Sequence, residues 1–520
     1  MTYKIIDLFA GPGGLGEGFA AYEDKDAHKF KIALSAEMET GAHQTLTLRS
    51  FFRHIRGEKK ALDAYYRFCS MEGAPHPGEL FPLAWQAARS EALQLTLGNP
   101  EHNKVLDTLL DRAKLKDDET VLIGGPPCQA YSLVGRSRNM GKVDYVAEED
   151  HRHFLYREYL RILRRSRPAV FVMENVKGIL SSRVGGKLVI HDILRDLTDP
   201  GLALGQKSGA RYTIHSLVSR VKFAPGDDPT KMDANSFIIE AEKYGIPQAR
   251  HRVILLGVRE DLNYDGGWLL QESSKLHVID AIGDLPPLRS KLSKADCDST
   301  WCDTVKNLAH SLECDAAEKE MRSLALRLGA EASRLGFTLQ TGALRYFHPK
   351  KSSSSLNPYD NWVKDQRLDV WLNHETRSHM QSDLARYFYT AVFGKVHGRT
   401  PKGHLDFMLR GLAPDHANWE SGKFVDRFRV QLPYAPSTTV TSHIAKDGHY
   451  FIHPDPGQCR SLTVREAARL QTFPDNYFFQ GTRTQQYHQV GNAVPSLLAN
   501  KIAHVVHQIL TKPSRAQSTG

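Results

Sequence analysis

Apolar and polar positions along this chain follow one rhythm in the first half and another in the second. Residues 3–9 carry a strand pattern that runs into Gly11-Pro12-Gly13-Gly14, and a short helix is predicted over 17–22. Residues 31–36 repeat the strand pattern and end in Glu37-Met38. Val121, Leu122 and Ile123 form an apolar run stopped by Gly124-Gly125-Pro126-Pro127. A helix over about 150–165 follows, with Phe154, Leu155, Tyr159, Ile162 and Leu163 on its core stripe. Residues 169–173 are apolar without a break, the pattern of a parallel strand covered on both faces, and lead into Glu174-Asn175-Val176. A helix at 185–197 and strands at 212–218 and 253–258 complete the series. Strand and helix alternate throughout, so the fold class is α/β with a mainly parallel sheet.

That rhythm is interrupted twice. Residues 49–118 read as polar helical material, punctuated at Pro77-Gly78 and Asn99-Pro100, and are expected to be a helical insertion on the surface, away from the active site. From 260 to 459 the alternation is lost in a mixed, loop-rich stretch with helices expected at 316–335 and 378–393 and a serine tract at 352–355. It returns at 460, where Thr463 is placed to cap a helix, and a last apolar helix runs to 510. The expected organisation is a sheet domain over 1–259, a second domain over 260–459, a segment over 460–510 that returns to the sheet, and a disordered tail over 511–520.

A chain of 520 residues exceeds one ordinary domain, and 41% hydrophobic residues can build a sizeable core. The net charge of +9 suits an anionic partner, nucleic acid first. Aromatic and basic residues interleave at 345–351 and 423–429, a composition that fits a nucleic-acid surface and equally an ordinary amphipathic stretch. Six cysteines without a CxxC pair argue against a zinc ribbon or a disulfide framework and for a reducing cytoplasm. His374 and His379 lie five apart, off a common helix face, so no metal site is expected there. No apolar signal core opens the chain and no stretch is long enough to span a bilayer, so a cytoplasmic protein is expected.

Chemistry gathers at strand ends. The glycine turn before the first helix and Glu37 at the tip of the second strand are the two features by which nucleotide-type folds hold a phosphate or ribose. Cys128 follows two prolines on a stiff turn, where a thiol serves as a nucleophile if its pKa is lowered and is otherwise an incidental small hydrophobe in a Gly/Pro turn. Glu174 is a carboxylate at the tip of a central strand. The basic stretch 135–142 reads as a lid or as a solvated loop.

Six blocks in order resemble the DNA cytosine-5 methyltransferases: residues 7–14, Gly125-Pro126-Pro127-Cys128-Gln129, Glu174-Asn175-Val176, Gln248-Ala249-Arg250-His251-Arg252, residues 460–474 and Gly491-Asn492-Ala493-Val494. The resemblance implies a Rossmann-like sheet domain that binds S-adenosyl-L-methionine, a target-recognition domain over 260–459, and double-stranded DNA as partner. It implies Cys128 as the nucleophile that adds to cytosine C6, and Glu174 as proton donor at N3. Arg252, with Arg250, would stand at the O2 edge. For the cofactor it points to Phe9, Gly11, Gly13, Glu37, Met38, Pro126, Leu155, Asn492 and Val494. Met38 stands where the family has an aromatic residue, and the acidic residue that contacts adenine after the third strand is not identifiable. The target base must leave the duplex before it can react. A cognate restriction endonuclease or other defence proteins are the implied partners. Two rival readings are a tRNA cytosine-5 methyltransferase, whose target region is much shorter, and a non-catalytic binding protein, against which intact Cys128, Glu174 and Arg252 argue.

Overall fold

A computed structural model describes residues 1–127, 152–336, 338–349, 357–414, 419 and 427–511. Its sheet is built from β1 (Tyr3–Leu8), β2 (Phe30–Glu37), β3 (Ala92–Gln94), β4 (Thr120–Gly124), β5 (Val170–Val176), β6 (Tyr212–His215), β7 (Lys222–Phe223), β8 (Ile238–Glu240) and β9 (His251–Arg259). The order across the sheet is β7-β6-β9-β5-β4-β1-β2-β3, with β8 also paired to β9. Strands β3, β2, β1, β4 and β5 run parallel, whereas β9 lies antiparallel to β5 and to β6.

Period two assigns each strand residue to a face, and both faces are covered. Ile5, Val121, Ile123, Val170 and Val172 pack with Leu15 and Phe19 of α1 (Gly14–Ala20) and with Leu498, Ile502 and Val506 near the C-terminus. Leu8, Leu122, Phe171 and Met173 face the other way, against Tyr159, Ile162 and Leu163 and against Ile190 and Leu194.

The segment 49–118 departs from a purely helical surface insertion. It contributes β3, which extends the parallel sheet beyond β2, with Glu37 opposite Gln94. Its helices α2 (Thr40–His54) and α3 (Lys59–Ser70) bury Phe51, Phe52, Tyr65 and Cys69 against Leu368, Val370, Leu372 and Phe478. Arg49 of α2 makes a bidentate ion pair with Glu17 of α1 at 3.0 and 2.6 Å, fully inside the protein. The polar composition that suggested a surface addition belongs in part to buried, mutually neutralised charges.

The second half is more helical than its composition implied. After α4 (Arg152–Ser166) and α5 (Val189–Thr198) on the sheet come α6 (Asp298–Glu318), α7 (Arg322–Ala332) and α8 (Gln381–His397). These last three enclose a separate core of Trp301, Leu312, Leu328, Tyr387, Phe388 and Val392. His374 lies on the strand Val370–Glu375, not on a helix, and its ring bonds Thr463 Oγ1 and the Pro286 carbonyl. No group of residues that could hold a metal occurs among the described residues. No described helix is long and apolar enough to cross a membrane.

The chain then returns to the sheet through α9 (Val464–Leu470), α10 (Arg483–Asn492) and α11 (Ser496–Thr511). Thr463 caps α9 in a capping box with Glu466. On α11, Asn500 donates to the Gly18 carbonyl at 3.0 Å and His504 meets the Tyr22 hydroxyl at 3.0 Å, which docks the last helix against α1. The tail from 512 lies outside the described residues.

Candidate active site

Strand register brings three chain segments to one edge. The C-terminal ends of β4 and β5 are neighbours, with Gly124 opposite Met173, and the start of β9 places Arg252 opposite Val176. The side chains of Glu174 and Arg252 meet there, Oε1 to Nε at 2.9 Å, with exposures of 13% and 12%. Arg252 Nη1 also donates to the His251 carbonyl at 2.8 Å, which fixes the guanidinium from behind.

The turn after β4 lies directly against this pair. A Cβ on Gly125 would stand 2.9 Å from Glu174 Oε2, so only glycine leaves the carboxylate its place. Asn175 Nδ2 donates to the Pro126 carbonyl at 3.3 Å and ties the proline turn to β5. Cys128, the next residue but one, and the basic stretch 135–142 lie outside the described residues.

Arg250 departs from the expectation that grouped it with Arg252 at the substrate edge. Its side chain is 2% exposed. Nη1 donates to the Val440 carbonyl at 2.7 Å, and both terminal nitrogens reach the Gly491 carbonyl at 3.4 and 3.3 Å. Burial, reinforced by the positive charge of Arg252, pulls its pKa well below the usual arginine range. The residue clamps the segment after Ser437–Thr438, which itself pairs with Gln248–Ala249, to the end of α10.

The other half of the site is the glycine turn. Phe9, Gly11 and Gly13 all have positive φ, at 56°, 58° and 96°, and Gly13 caps α1. The Glu37 carboxylate accepts from Gly11 N and from Glu39 N, both at 2.7 Å. Burial raises its pKa, against the lowering effect of these backbone donors. Met38 beside it is 53% exposed. The residues after β3 lie next to Glu37, and a Cβ on Gly98 would stand 3.9 Å from the Leu155 side chain. Gln94, Leu95 and Thr96 include no carboxylate, and Gln94 Nε2 donates to Thr40 Oγ1 at 2.9 Å. Pro126 is buried and Asn492 exposed at the end of α10. Val494 is buried, with its carbonyl 2.5 Å from the position a Cβ on Gly14 would take, so it supports α1 directly.

Two residues at this edge escaped the sequence reading. Asp7 on β1 is fully buried with neither carboxyl oxygen hydrogen-bonded among the described residues, and burial pushes its pKa up to about 8 despite the opposing charge of Arg53. Tyr477 reaches the turn from the far end of the chain and donates to the Pro12 carbonyl at 2.5 Å. Asp7 could have been noticed as a charge inside an apolar strand run; Tyr477 carries no local signal.

An acid–guanidinium pair beside a stiff proline turn and an open glycine turn with a ribose-type carboxylate stand along one sheet edge. The family model for C-5 cytosine-specific DNA methylases matches residues 91–207 and 232–508. The chain belongs to this family. It is a DNA (cytosine-5-)-methyltransferase, and the methylase is 32% identical over 97% of its length to the type II methyltransferase M.Bpa9945I of Bacillus paralicheniformis, covering 99% of that protein. It is 25% identical over 98% of its length to the DNA (cytosine-5-)-methyltransferase M.ApeKI of Aeropyrum pernix, again covering 99%. In fold, the methylase is similar to a putative DNA modification methyltransferase encoded within a prophage of E. coli, with a TM-score of 0.55, 18% identity, and coverage of 98% and 99% of the two chains.

Proposed function

We propose that the methylase transfers a methyl group from S-adenosylmethionine to C5 of a cytosine flipped out of duplex DNA, through a transient bond between Cys128 Sγ and C6. The observation that carries this reading is the Glu174–Arg252 pair at 2.9 Å, held against the turn that leads into Cys128.

The residues around the glycine turn fit the donor. A Cβ on Gly11 would meet nothing within 4 Å, so the backbone there is open to a ligand. Each oxygen of Glu37 accepts one backbone N–H and keeps a second lone pair for a ribose hydroxyl. Phe9, Gly11, Gly13, Glu37, Met38, Pro126, Leu155, Asn492 and Val494 are the proposed cofactor residues. When bound, S-adenosylmethionine supplies an electrophilic methyl group.

The chain's own residues prepare the base. The Cys128 thiolate adds to C6, and the electron pair of the C5–C6 bond becomes available at C5. Charge builds at N3 and O2 as the sulfur–carbon bond forms. Glu174 has Oε1 held by Arg252 and Oε2 on the Gly125 side, and it delivers a proton at N3. Arg252 stabilises the O2 edge with a preorganised positive charge. Once C5 carries the methyl group, loss of the C5 proton to water restores the C5–C6 double bond and expels the Cys128 thiolate, and the N3 proton returns to the Glu174 carboxylate. Arg250 is assigned to the scaffold. Removing the base from the stack costs a few kcal/mol and leaves the edges of the ring free for these contacts.

Residues 260–459, with their own helical core, are the proposed target-recognition domain. The type II names of the relatives support pairing with a cognate restriction endonuclease, and a methylase that guards its host's DNA acts in the cytoplasm. Bisulfite sequencing of DNA from cells that express the methylase, beside its Cys128→Ser variant, tests the proposal. Methylation at a fixed sequence is expected from the wild type alone, with S-adenosylmethionine and DNA binding retained by the variant. Normal turnover by Cys128→Ser would exclude the covalent route.

A further inference from the structure

The glycine turn is braced by a residue that lies more than 460 positions away in the chain. Tyr477 is fully buried, and its hydroxyl donates to the Pro12 carbonyl in the middle of the turn at 2.5 Å. The ring has little freedom to move. Phe473 and Phe479 pack on it with centroids at 4.8 and 5.4 Å, and the Arg49 guanidinium lies 4.8 Å over its face. A Cβ on Gly13 would come within 3.1 Å of the same hydroxyl, so the phenol lies against the turn at two successive residues. Burial, together with the nearby charge of Glu17, raises the phenol's pKa, so the hydroxyl remains a donor.

What stands behind Tyr477 is equally fixed. The side chain of Asn476 accepts from Arg49 Nη1 at 2.9 Å and donates to Asp365 Oδ2 at 2.5 Å. Its carbonyl accepts from the Tyr65 hydroxyl at 2.8 Å, and Tyr66 donates to Asp365 at 2.5 Å. Arg49 in turn holds Glu17 of α1, the helix that starts at the turn. The strap Asn476-Tyr477 is therefore gripped by α2 and α3 on one side and by Asp365, within 260–459, on the other. Three of the turn's residues sit at positive φ, and Phe9 among them is not glycine. A conformation of that kind persists only where its surroundings over-determine it.

We propose that Tyr477, anchored by Asn476, is a positioning residue that holds the Gly11-Pro12-Gly13 turn in the form that receives the methyl donor. The proposal rests on the assignment of this turn to S-adenosylmethionine. It also gives the segment 49–118 a task, since Arg49, Tyr65 and Tyr66 hold the strap.

Calorimetric titration with S-adenosylhomocysteine tests it on the full chain, in wild type and in three variants. Tyr477→Phe removes the donor and keeps the ring. Tyr359→Phe is the matched control, a buried phenol that donates to one carbonyl, that of Arg469 at 2.7 Å, remote from the turn in its bonding. Asn476→Ala removes the anchor and keeps the phenol. We expect Kd for S-adenosylhomocysteine to rise about three- to tenfold in Tyr477→Phe, the scale of one net hydrogen bond, with kcat at saturating donor unchanged. The same direction is expected in Asn476→Ala and no change in Tyr359→Phe. Amides of residues 11 and 13–16 should exchange faster with solvent in Tyr477→Phe and Asn476→Ala only. Equal Kd values in wild type, Tyr477→Phe and Asn476→Ala would overturn the proposal, as would equal weakening in Tyr359→Phe, which marks general loosening. If the wild type itself fails to bind S-adenosylhomocysteine, the cofactor assignment falls instead.

Discussion

Arg250 and Arg252 are two residues apart on the chain but lie in different surroundings, one bonded to buried carbonyls and one paired with Glu174, so replacing each by methionine tests the separate roles proposed for them. Arg250 supplies the hydrogen bonds of two buried carbonyls, those of Val440 and Gly491. Methionine fills much of the same volume but donates nothing, and each buried acceptor left without a donor costs roughly 1–3 kcal/mol. The expected loss is about 2–6 kcal/mol. In a sheet domain of this size that lowers the melting temperature by roughly 4–24 °C. Arg252 is paired with Glu174 at side-chain exposures of only 12% and 13%, so its removal leaves a mostly buried carboxylate, which relieves the cost by taking up a proton; a loss of about 1–3 kcal/mol, no larger than that of Arg250, is expected. Removing Arg252 should also cost about 10²–10³ in kcat, the scale of losing one preorganised charge at a developing anion. The assay is transfer of a labelled methyl group at saturating donor and DNA, run beside differential scanning fluorimetry. Arg250→Met is expected to melt early and, below its melting range, to turn over within about tenfold of wild type. Arg252→Met should melt no earlier than Arg250→Met and turn over very slowly. If Arg250→Met melts with the wild type while losing turnover as Arg252→Met does, Arg250 belongs to the substrate edge and the clamp assignment is wrong.

Three further outcomes follow from single contacts. Gly125→Ala puts a methyl group 2.9 Å from Glu174 Oε2 and must displace the carboxylate; a fall of about 10²-fold in kcat with an unchanged melting temperature is expected, and full activity would show that Glu174 is not placed by this turn. Gly18→Ala drives a Cβ to 2.4 Å from both Ala499 Cβ and the Ser496 carbonyl, so α11 must shift; a loss of about 1–3 kcal/mol is expected by chemical denaturation, and an unchanged midpoint would contradict the docking of the two helices. His374 and His453 are buried and neutral, each with its pKa lowered from 6.5 to about 4, chiefly by burial, with Arg460 adding to the effect. Because the unfolded chain binds the proton more tightly, their stabilisation is complete above pH 6.5 and declines as pH falls toward 4, by about 3 kcal/mol for His374 alone at the bottom of that window. Limited proteolysis between pH 7 and 4.5 should show the region around α9 opening first, and a His374→Asn variant should flatten that dependence; a flat wild-type profile would refute the titration argument.

What could be read from the sequence and what could not divides along a physical line. Strands β1, β2, β4, β5 and β9 were legible because burial on both faces demands unbroken apolar runs, and the residues at their ends then fall on one edge whatever the details of packing. The positions of Glu174 and Glu37 at the strand ends were legible that way. β3 was hidden because a three-residue edge strand, Ala92–Gln94, is too short to show a period and lies between polar helices. Arg250 and Arg252 could not be told apart because Arg250 lies just before the first residue of β9 and Arg252 just inside it, a boundary that no pattern marks, and the difference lies in which carbonyls the neighbouring segments present. Tyr477 was invisible for the same reason in stronger form: its partner is a backbone oxygen, and a backbone oxygen leaves no mark on the sequence. The charged residues of 49–118 misled in the opposite direction, since Arg49 and Glu17 look like surface until they are seen to neutralise each other inside. Arg345 behaves likewise. The aromatic–basic pattern around it suggested a nucleic-acid contact, yet its guanidinium lies 5.3 and 4.7 Å from the ring centroids of Phe68 and Phe478 and donates to the Phe68 carbonyl. Pattern reports where a segment is buried; it does not report what a long polar side chain finds when it gets there. In this methylase that second kind of information separates the buried Arg250 from Arg252, paired with Glu174, and brings Tyr477 to the Pro12 carbonyl.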